Sequence, residues 1–289
     1  MASPAVKSGY IPHGPNLQLN YLEWGNPEGP PILFVIGLTG FAYAWNETAM
    51  AMGDRYRCIG INMRGHGDSG PTPEREFSFD LWDTDIHALV TTLELDRPVI
   101  IGHSLGGRVA FVYAGRHPDH TRGIVVVDVG PGFPEDAAAM VQRDFFRKRP
   151  TEFDSWDDAL AWVPRGPKLS DEIARARLPH GFRQLPSGKI VFKHDPLLRD
   201  EWLGDRPPAR AQAHSWLWKD LADDECSMLL LKGEETPFLT HELCQQMCDT
   251  TKGEAHWVEV QGTSHYIQDD NLKGFLKEVE PFTADCFSR

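Results

Sequence analysis

The stretch Val99–Gly107, with the sequence VIIGHSLGG, decides how the chain is interpreted. Its first three residues are a continuous apolar run, which is typical of a strand buried on both faces of a parallel sheet. The next five match the pattern G-x-S-x-G around Ser104, and Leu105, Val109 and Val112 then recur at helical spacing. With 26 glycines in the chain, the pattern by itself is weak. Its place between a strand and a helix predicts a sharp turn that lifts the Ser104 hydroxyl above the sheet.

Strands and helices alternate on either side of this turn. Apolar runs predict further strands at residues 17–24, 32–36, 57–62, 124–128, 227–231 and 256–260. Apolar residues at helical spacing predict amphipathic helices over 82–93 and 272–279. This alternation predicts an α/β protein with a mostly parallel central sheet and helices on both faces.

The alternation stops between residues 131 and 219, a segment rich in Arg, Trp and Pro. We interpret it as a helical cap inserted between two strands of one sheet. The predicted domains are therefore a core of residues 1–130 and 220–289 and a cap of residues 131–219. Most tryptophans of the cap are expected to pack it onto the sheet, and the alternative is that one or two line an apolar pocket. These tryptophans are Trp156, Trp162, Trp202, Trp216 and Trp218.

The composition bounds the function. Charged residues make up 25% of the 289 residues and hydrophobic residues 41%, as in ordinary globular proteins. A net charge of −13 argues against a nucleic-acid partner, which requires a basic surface. No apolar run approaches the roughly 20 residues of a membrane span, and the N-terminus lacks the apolar core of a signal peptide. The 5 cysteines have neither disulfide-like nor metal-like spacing, which fits a cytoplasmic protein without a metal or organic cofactor.

The charge is unevenly distributed along the chain. The predicted cap contains 15 Lys and Arg against 13 Asp and Glu, whereas the whole chain is strongly acidic. A basic cap on an acidic body would favour an anionic substrate. Solvated surface charge explains the same excess equally well, so no carboxylate-bearing substrate is inferred from it.

Two further motifs follow predicted strands, Ile36–Gly40 (IGLTG) and Arg64–Ser69 (RGHGDS). Together with the G-x-S-x-G turn they make the chain resemble the α/β-hydrolase superfamily over nearly its whole length. The resemblance implies that Ser104 is the nucleophile and that the backbone amides of Leu38 and Leu105 form an oxyanion hole. A serine at this position argues against the haloalkane dehalogenase and epoxide hydrolase chemistries of the superfamily, which use a carboxylate nucleophile.

The resemblance also implies a histidine base after the last strand, where the chain has His265. The acid departs from the family pattern. Members usually carry it in a G-x-x-D loop after the strand that follows the cap, and this chain has Thr236 in the place of that Asp. Glu234 or Glu235 of the same loop, or Asp128, must then replace it. We favour Asp128, because some members place the acid after the sixth strand and because a carboxylate at the end of an apolar strand is costly to bury unless it is paired.

These residues predict a serine hydrolase that cleaves a carboxylic ester, a lactone or an amide through an acyl-enzyme on Ser104. The expected partner is a small-molecule substrate with an apolar or aromatic acyl part. The same fold also supports carbon–carbon bond hydrolysis, cofactor-free dioxygenase chemistry with a His–Asp dyad, and ligand receptors. The presence of both Ser104 and His265 counts against a purely binding role.

Overall fold

The structure is a computed structural model that describes residues 6–73, 75–132, 134–201, 203 and 215–289. The strands are β1 (Lys7–Pro12), β2 (Gln18–Gly25), β3 (Pro31–Val35), β4 (Arg57–Ile61), β5 (Val99–His103), β6 (Gly123–Val127), β7 (Glu152–Phe153), β8 (Phe182–Gln184), β9 (Ile190–Phe192), β10 (Ser227–Gly233) and β11 (Ala255–Val260). The helices are α1 (Asn46–Met52), α2 (Phe79–Thr92), α3 (Leu105–Arg116), α4 (Glu135–Met140), α5 (Trp156–Leu160), α6 (Asp171–Gly181), α7 (Leu197–Asp200), α8 (Ser215–Asp223), α9 (His241–Thr250), α10 (Ile267–Asp270) and α11 (Leu272–Ser288).

The large sheet has the strand order β1-β2-β4-β3-β5-β6-β10-β11. Strand β2 pairs antiparallel with β1 and with β4. The pairs β4–β3, β3–β5, β5–β6, β6–β10 and β10–β11 are parallel. Residues of β5 and β6 are buried throughout, as their continuous apolar runs predict. The predicted mostly parallel sheet is confirmed.

The order of the strands determines where a site can form. The chain runs from β3 outward to β4 and then returns to place β5 on the other side of β3. A crevice opens at such a point of reversal, beyond the carboxyl ends of the strands. Because β3, β5, β6, β10 and β11 are parallel, the loops that follow them leave the same edge of the sheet. Residues 36–40, Ser104, Asp128, Thr236 and His265 belong to these loops.

The segment between β6 and β10 contains helices α4 to α8 and a small antiparallel sheet of order β7-β9-β8. The interpretation of this segment as helical is therefore incomplete. Each strand of the small sheet is only two or three residues long, so no apolar run marks it in the sequence. Its stability comes from aromatic packing of Phe182 against Phe192 and Phe153, with ring centroids 4.6 and 5.9 Å apart.

The predicted division into core and cap at residues 130 and 219 stays a prediction. Its second boundary falls inside α8. This helix packs against α3, which in turn packs against β5 and β6. Arg177 of α6 joins the inserted segment to the rest of the chain. Its guanidinium donates to Asp269 of α10 at 2.9 and 3.0 Å and to Glu47 of α1 at 2.6 Å.

The tryptophans of the inserted segment have different surroundings. Trp162 lines the cavity described below. Trp218 packs against the core of the large sheet. Trp216 lies edge-on against Phe79, and both Trp216 and Trp156 are 37% exposed. Trp202 lies outside the described residues.

In the part of the chain that the structure describes, no helix combines the length and the apolar character needed to cross a membrane.

Candidate active site

Ser104 occupies a strained turn between β5 and α3. Its backbone angles are φ 54° and ψ −120°, a region that non-glycine residues rarely adopt and that often marks functional sites. The Ser104 amide still donates to Val127 of β6 at 2.9 Å, while its carbonyl accepts from Gly107 at 2.9 Å and starts the helix. The chain thus passes from strand to helix at one residue, and the Ser104 side chain lines a cavity above the sheet.

The glycines on either side of Ser104 are required by close backbone contacts. A Cβ atom at Gly102 would overlap the carbonyl oxygen of Gly106, and one at Gly106 would overlap the carbonyl oxygen of Val35. Helix α3 therefore reaches the sheet so closely that neither position has room for a side chain. This explains physically why the pattern G-x-S-x-G accompanies the turn.

We expect Gly102→Ala to lower the free energy of unfolding by about 3 kcal/mol or more, because the added methyl group meets backbone that cannot rotate away. Urea unfolding followed by circular dichroism measures the change. Gly70→Ala is the matched control, since its Cβ would come closest to the flexible side-chain end of Leu17, at 3.3 Å, and would meet the backbone of Gln18 only at ordinary van der Waals distances of 3.6 and 3.7 Å. Equal losses in the two variants would contradict the close approach at Gly102.

Asp128 and His265 are in direct contact. The Nδ1 atom of His265 lies 2.7 Å from Oδ2 of Asp128, although 137 residues separate them in the chain. Since a carboxylate accepts hydrogen bonds, Nδ1 carries the proton of this contact and Nε2 is left for another partner. His265 and Ser104 line the same cavity.

Thr236 and Gly233 hold the same carboxylate. Oδ2 of Asp128 accepts from the Thr236 hydroxyl at 2.5 Å, and Oδ1 accepts from the amide of Gly233 at 2.9 Å. Asp128 is 0% exposed, and these donors compensate the cost of burying it. The residue in the family's usual acid position is therefore a hydrogen-bond donor to the carboxylate that contacts His265.

Glu235 occupies a different place. Its side chain is exposed, and Glu235 is not one of the described residues that line the cavity. Its amide donates to the carbonyl of Thr263 at 2.9 Å, which closes the turn of the loop. The structure therefore places Ser104 and His265 in the lining of one cavity, with Asp128 buried against His265, and leaves Glu235 on the outside.

His103 supports the histidine loop from below, a contact that sequence reasoning missed. Its Nε2 lies 2.9 Å from the carbonyl oxygen of His265, and its ring packs 4.5 Å from the His265 ring. Burial lowers the pKa of His103 well below its ordinary value, and the neighbouring His265 adds to this effect. A neutral His103 that donates from Nε2 fixes the backbone that carries His265. Phe238 also packs against the ring of His265, with centroids 4.3 Å apart.

The amides of Leu38 and Leu105 lie at the two turns that follow β3 and β5. Within the described residues neither N–H has a backbone acceptor. The Leu105 amide belongs to the first turn of α3, where the helix leaves its amides unsatisfied and its dipole favours negative charge. Both residues line the cavity together with Ser104.

The cavity has a volume of about 520 Å³, within the range of about 300–1,000 Å³ that is usual for small-molecule sites. Its floor is formed by the turns after β3 and β5 and by the loop of His265, and its roof by residues 140–149 and 161–165. Aromatic rings form much of the lining: Phe41, Trp45, Phe145, Phe146, Trp162 and Phe238. Throughout the described ranges, no group of three or more His, Cys, Asp or Glu side chains is arranged to hold a metal ion.

Several known proteins of similar sequence or structure are hydrolases. The chain is 26% identical over 277 residues to 2-(acetamidomethylene)succinate hydrolase of Mesorhizobium japonicum, which covers 92% of this chain and 91% of that protein. The crystal structure of E-2-(acetamidomethylene)succinate hydrolase has a TM-score of 0.83 at 22% identity, over 97% of this chain and 100% of the other. An esterase of M. tuberculosis has a TM-score of 0.74 at 21% identity, over 97% and 93% of the two chains.

The structural likenesses show the fold, and the family follows from the sequence. The model of the alpha/beta hydrolase fold family matches residues 30–272, which include the turn at Ser104, Asp128 and His265. The chain belongs to the alpha/beta hydrolase fold family.

Proposed function

We propose that the protein is a serine hydrolase that cleaves a carboxylic ester, a lactone or an amide through an acyl-enzyme on Ser104. The observation that carries the proposal is the 2.7 Å contact of His265 with Asp128 at the cavity that Ser104 lines. A histidine whose Nδ1 is held by a buried carboxylate has its Nε2 free to act as a general base. Membership of a hydrolase family supports the same chemistry.

The reaction follows from the roles of these groups. His265 removes the proton of Ser104, whose oxygen attacks the acyl carbon of the substrate. The amides of Leu38 and Leu105 donate to the oxygen that becomes negative. His265 then returns the proton to the leaving alcohol or amine. A water molecule, activated by the same histidine, releases the acid product and restores Ser104.

The lining of the cavity bears on the substrate. Rings such as those of Phe145 and Trp162 favour a substrate whose acyl part is apolar or aromatic. The relative from Mesorhizobium japonicum is named for a substrate that contains an acetamido group. Amides therefore belong beside esters and lactones among the compounds to be tested.

The test is a panel of p-nitrophenyl esters, lactones and anilides with aliphatic and aromatic acyl groups, combined with a fluorophosphonate probe. We expect turnover in at least one class and a covalent adduct on the tryptic peptide that contains Ser104. Absence of turnover across the panel together with an unlabelled Ser104 would overturn the proposal and favour a ligand receptor. Oxygen consumption without hydrolysis would favour dioxygenase chemistry instead.

We expect Thr236→Val to lower kcat about 10- to 100-fold with little change in KM, because it removes a hydrogen bond to a buried carboxylate. Thr236→Ser keeps the hydroxyl and should recover most of the activity. Steady-state kinetics on the best ester of the panel measures both variants. Equal losses in the valine and serine variants would show that the methyl group of Thr236, rather than its hydroxyl, is what the site needs.

A further inference from the structure

Arg149 lies at the roof of the cavity, in a segment that the proposed mechanism does not use. Only 2% of its surface is exposed, and its guanidinium stacks on Phe192 with the carbon 3.7 Å from the ring centroid. Its Nη1 donates to the hydroxyl of Thr39, in the turn beside Leu38, at 2.8 Å. The arginine is therefore fixed in place directly beside the turn that carries the Leu38 amide.

Nε and Nη2 lie on the opposite edge of the guanidinium. Within the described residues, both atoms are buried and neither makes a hydrogen bond. These two N–H groups point in parallel along one edge of the planar group, which is the arrangement that binds both oxygens of a carboxylate. A buried arginine without a counter-ion is costly. Burial accordingly lowers the pKa of Arg149 to about 9, and the nearby Arg199 acts in the same direction.

Other charged groups around the cavity already have partners. Asp269 accepts from Arg177, and Asp144 accepts from Arg143 and Lys148. Arg165 pairs with Asp171 at 2.8 Å. Arg108 also lines the cavity and donates to the carbonyl oxygen of Gly130 at 2.7 Å, whereas within the described residues the guanidinium of Arg149 bonds only to Thr39.

We propose that the side chains that cover the unpaired edge of Arg149 move aside and that this edge then binds a carboxylate of the substrate, so that the preferred substrates are anionic molecules with an apolar or aromatic body. The effect on catalysis rests on the proposed function. The binding of a carboxylate to Arg149 does not depend on it. The excess of Lys and Arg in residues 131–219 does not by itself predict an anionic substrate, whereas Arg149 offers one defined place for a carboxylate. The anion would neutralise the buried guanidinium and satisfy Nε and Nη2 together.

Calorimetry tests the binding step without catalysis. The probes are 3-phenylpropanoate and 3-phenylpropanamide, which share an aromatic body and differ in charge. We expect the wild-type protein to bind the carboxylate at least about tenfold more tightly than the amide. Arg149→Met should remove this preference, while Arg175→Met should keep it, because Arg175 is an exposed arginine of α6 that pairs with Asp157. Arg175→Met thus controls for the overall charge of the cap.

The results divide clearly. Equal binding of the two probes by the wild-type protein overturns the proposal, and so does a preference that persists in Arg149→Met. A preference lost equally in Arg175→Met also overturns it, because the effect would then come from the general field. If Arg149→Met does not fold, Arg149→Lys is used. It keeps the charge but loses the parallel donors, and the preference should fall at least about threefold, whereas an unchanged preference overturns the bidentate site.

Kinetics separates this inference from the proposed function. Mono-p-nitrophenyl glutarate is compared with p-nitrophenyl 5-methylhexanoate, in which an isopropyl group replaces the carboxylate. We expect kcat/KM to favour the glutarate at least about tenfold in the wild-type enzyme and the two esters to become similar in Arg149→Met. Turnover of both esters without any preference contradicts the carboxylate site alone. Absence of turnover with an intact calorimetric preference contradicts the serine hydrolase mechanism alone.

Discussion

Replacing Ser104 by alanine should lower kcat by a factor on the order of 10⁶. The expectation follows from the mechanism, because without the hydroxyl no acyl-enzyme forms and His265 has no proton to remove. The cavity and the amides of Leu38 and Leu105 remain, so substrate binding should change little and a small residual rate over the uncatalysed reaction should persist. Single-turnover kinetics with enzyme in excess over a p-nitrophenyl ester measures the residual rate, and a calorimetric titration measures binding.

The same variant separates the rival functions of this fold. A dioxygenase that uses only the His265–Asp128 dyad would keep its activity in Ser104→Ala, and such a result would contradict the acyl-enzyme mechanism. A carbon–carbon bond hydrolase would lose activity as well, but its products would show a cleaved carbon–carbon bond. Ser155→Ala is the matched control, since Ser155 is an exposed serine that caps helix α5, far along the chain from the turn at Ser104. It should retain full activity.

The fold was largely predictable because each central strand is an uninterrupted apolar run. Strand β6, for example, is buried in every residue, and so its pattern is readable without knowledge of its neighbours. Strand β1 was not predicted. Four of its six residues are exposed at the edge of the sheet, and only Ile11 is fully buried, so no apolar run marks it. The small sheet β7-β9-β8 depends on contacts of Phe153 with residues some thirty to forty positions away, which no local pattern encodes.

The candidate site also contains residues that the sequence predicts and residues that it does not. Ser104 and His265 follow from motifs at strand ends, because their positions in the chain specify their positions in the fold. The contact that singles out Asp128 from Glu235 depends on the side-chain geometry of three separate loops. Arg149 carried no signal at all in the sequence, where it is one of several arginines in the inserted segment. That Nε and Nη2 of Arg149 lack a partner among the described residues is visible only once the surrounding side chains are placed.

Replacing Asp128 by asparagine should lower kcat about 10⁴-fold, as the loss of the acid does in other triads. The carboxylate accepts from the Gly233 amide, the Thr236 hydroxyl and the ring of His265. Asparagine offers only one acceptor oxygen, and its NH₂ group would face a donor. The His265 ring would then turn its other tautomer toward the asparagine, and Nε2 would carry a proton when Ser104 needs a base. Steady-state kinetics gives the rate, and urea unfolding shows whether the variant remains folded.

Glu235→Gln is the matched control because it makes the same change of charge two residues from Gly233, on a side chain that is exposed. Its kcat should stay within about twofold of the wild type. A large loss in Glu235→Gln with normal activity in Asp128→Asn would mean that the loop after β10 swings inward during the reaction and that Asp128 only stabilises the fold. The 2.7 Å contact of Asp128 with His265, and the hydroxyl of Thr236 that fixes the same oxygen, argue for the opposite result. In this chain the position that usually carries the acid supplies a hydroxyl that donates to Asp128, the carboxylate that follows β6 and contacts His265.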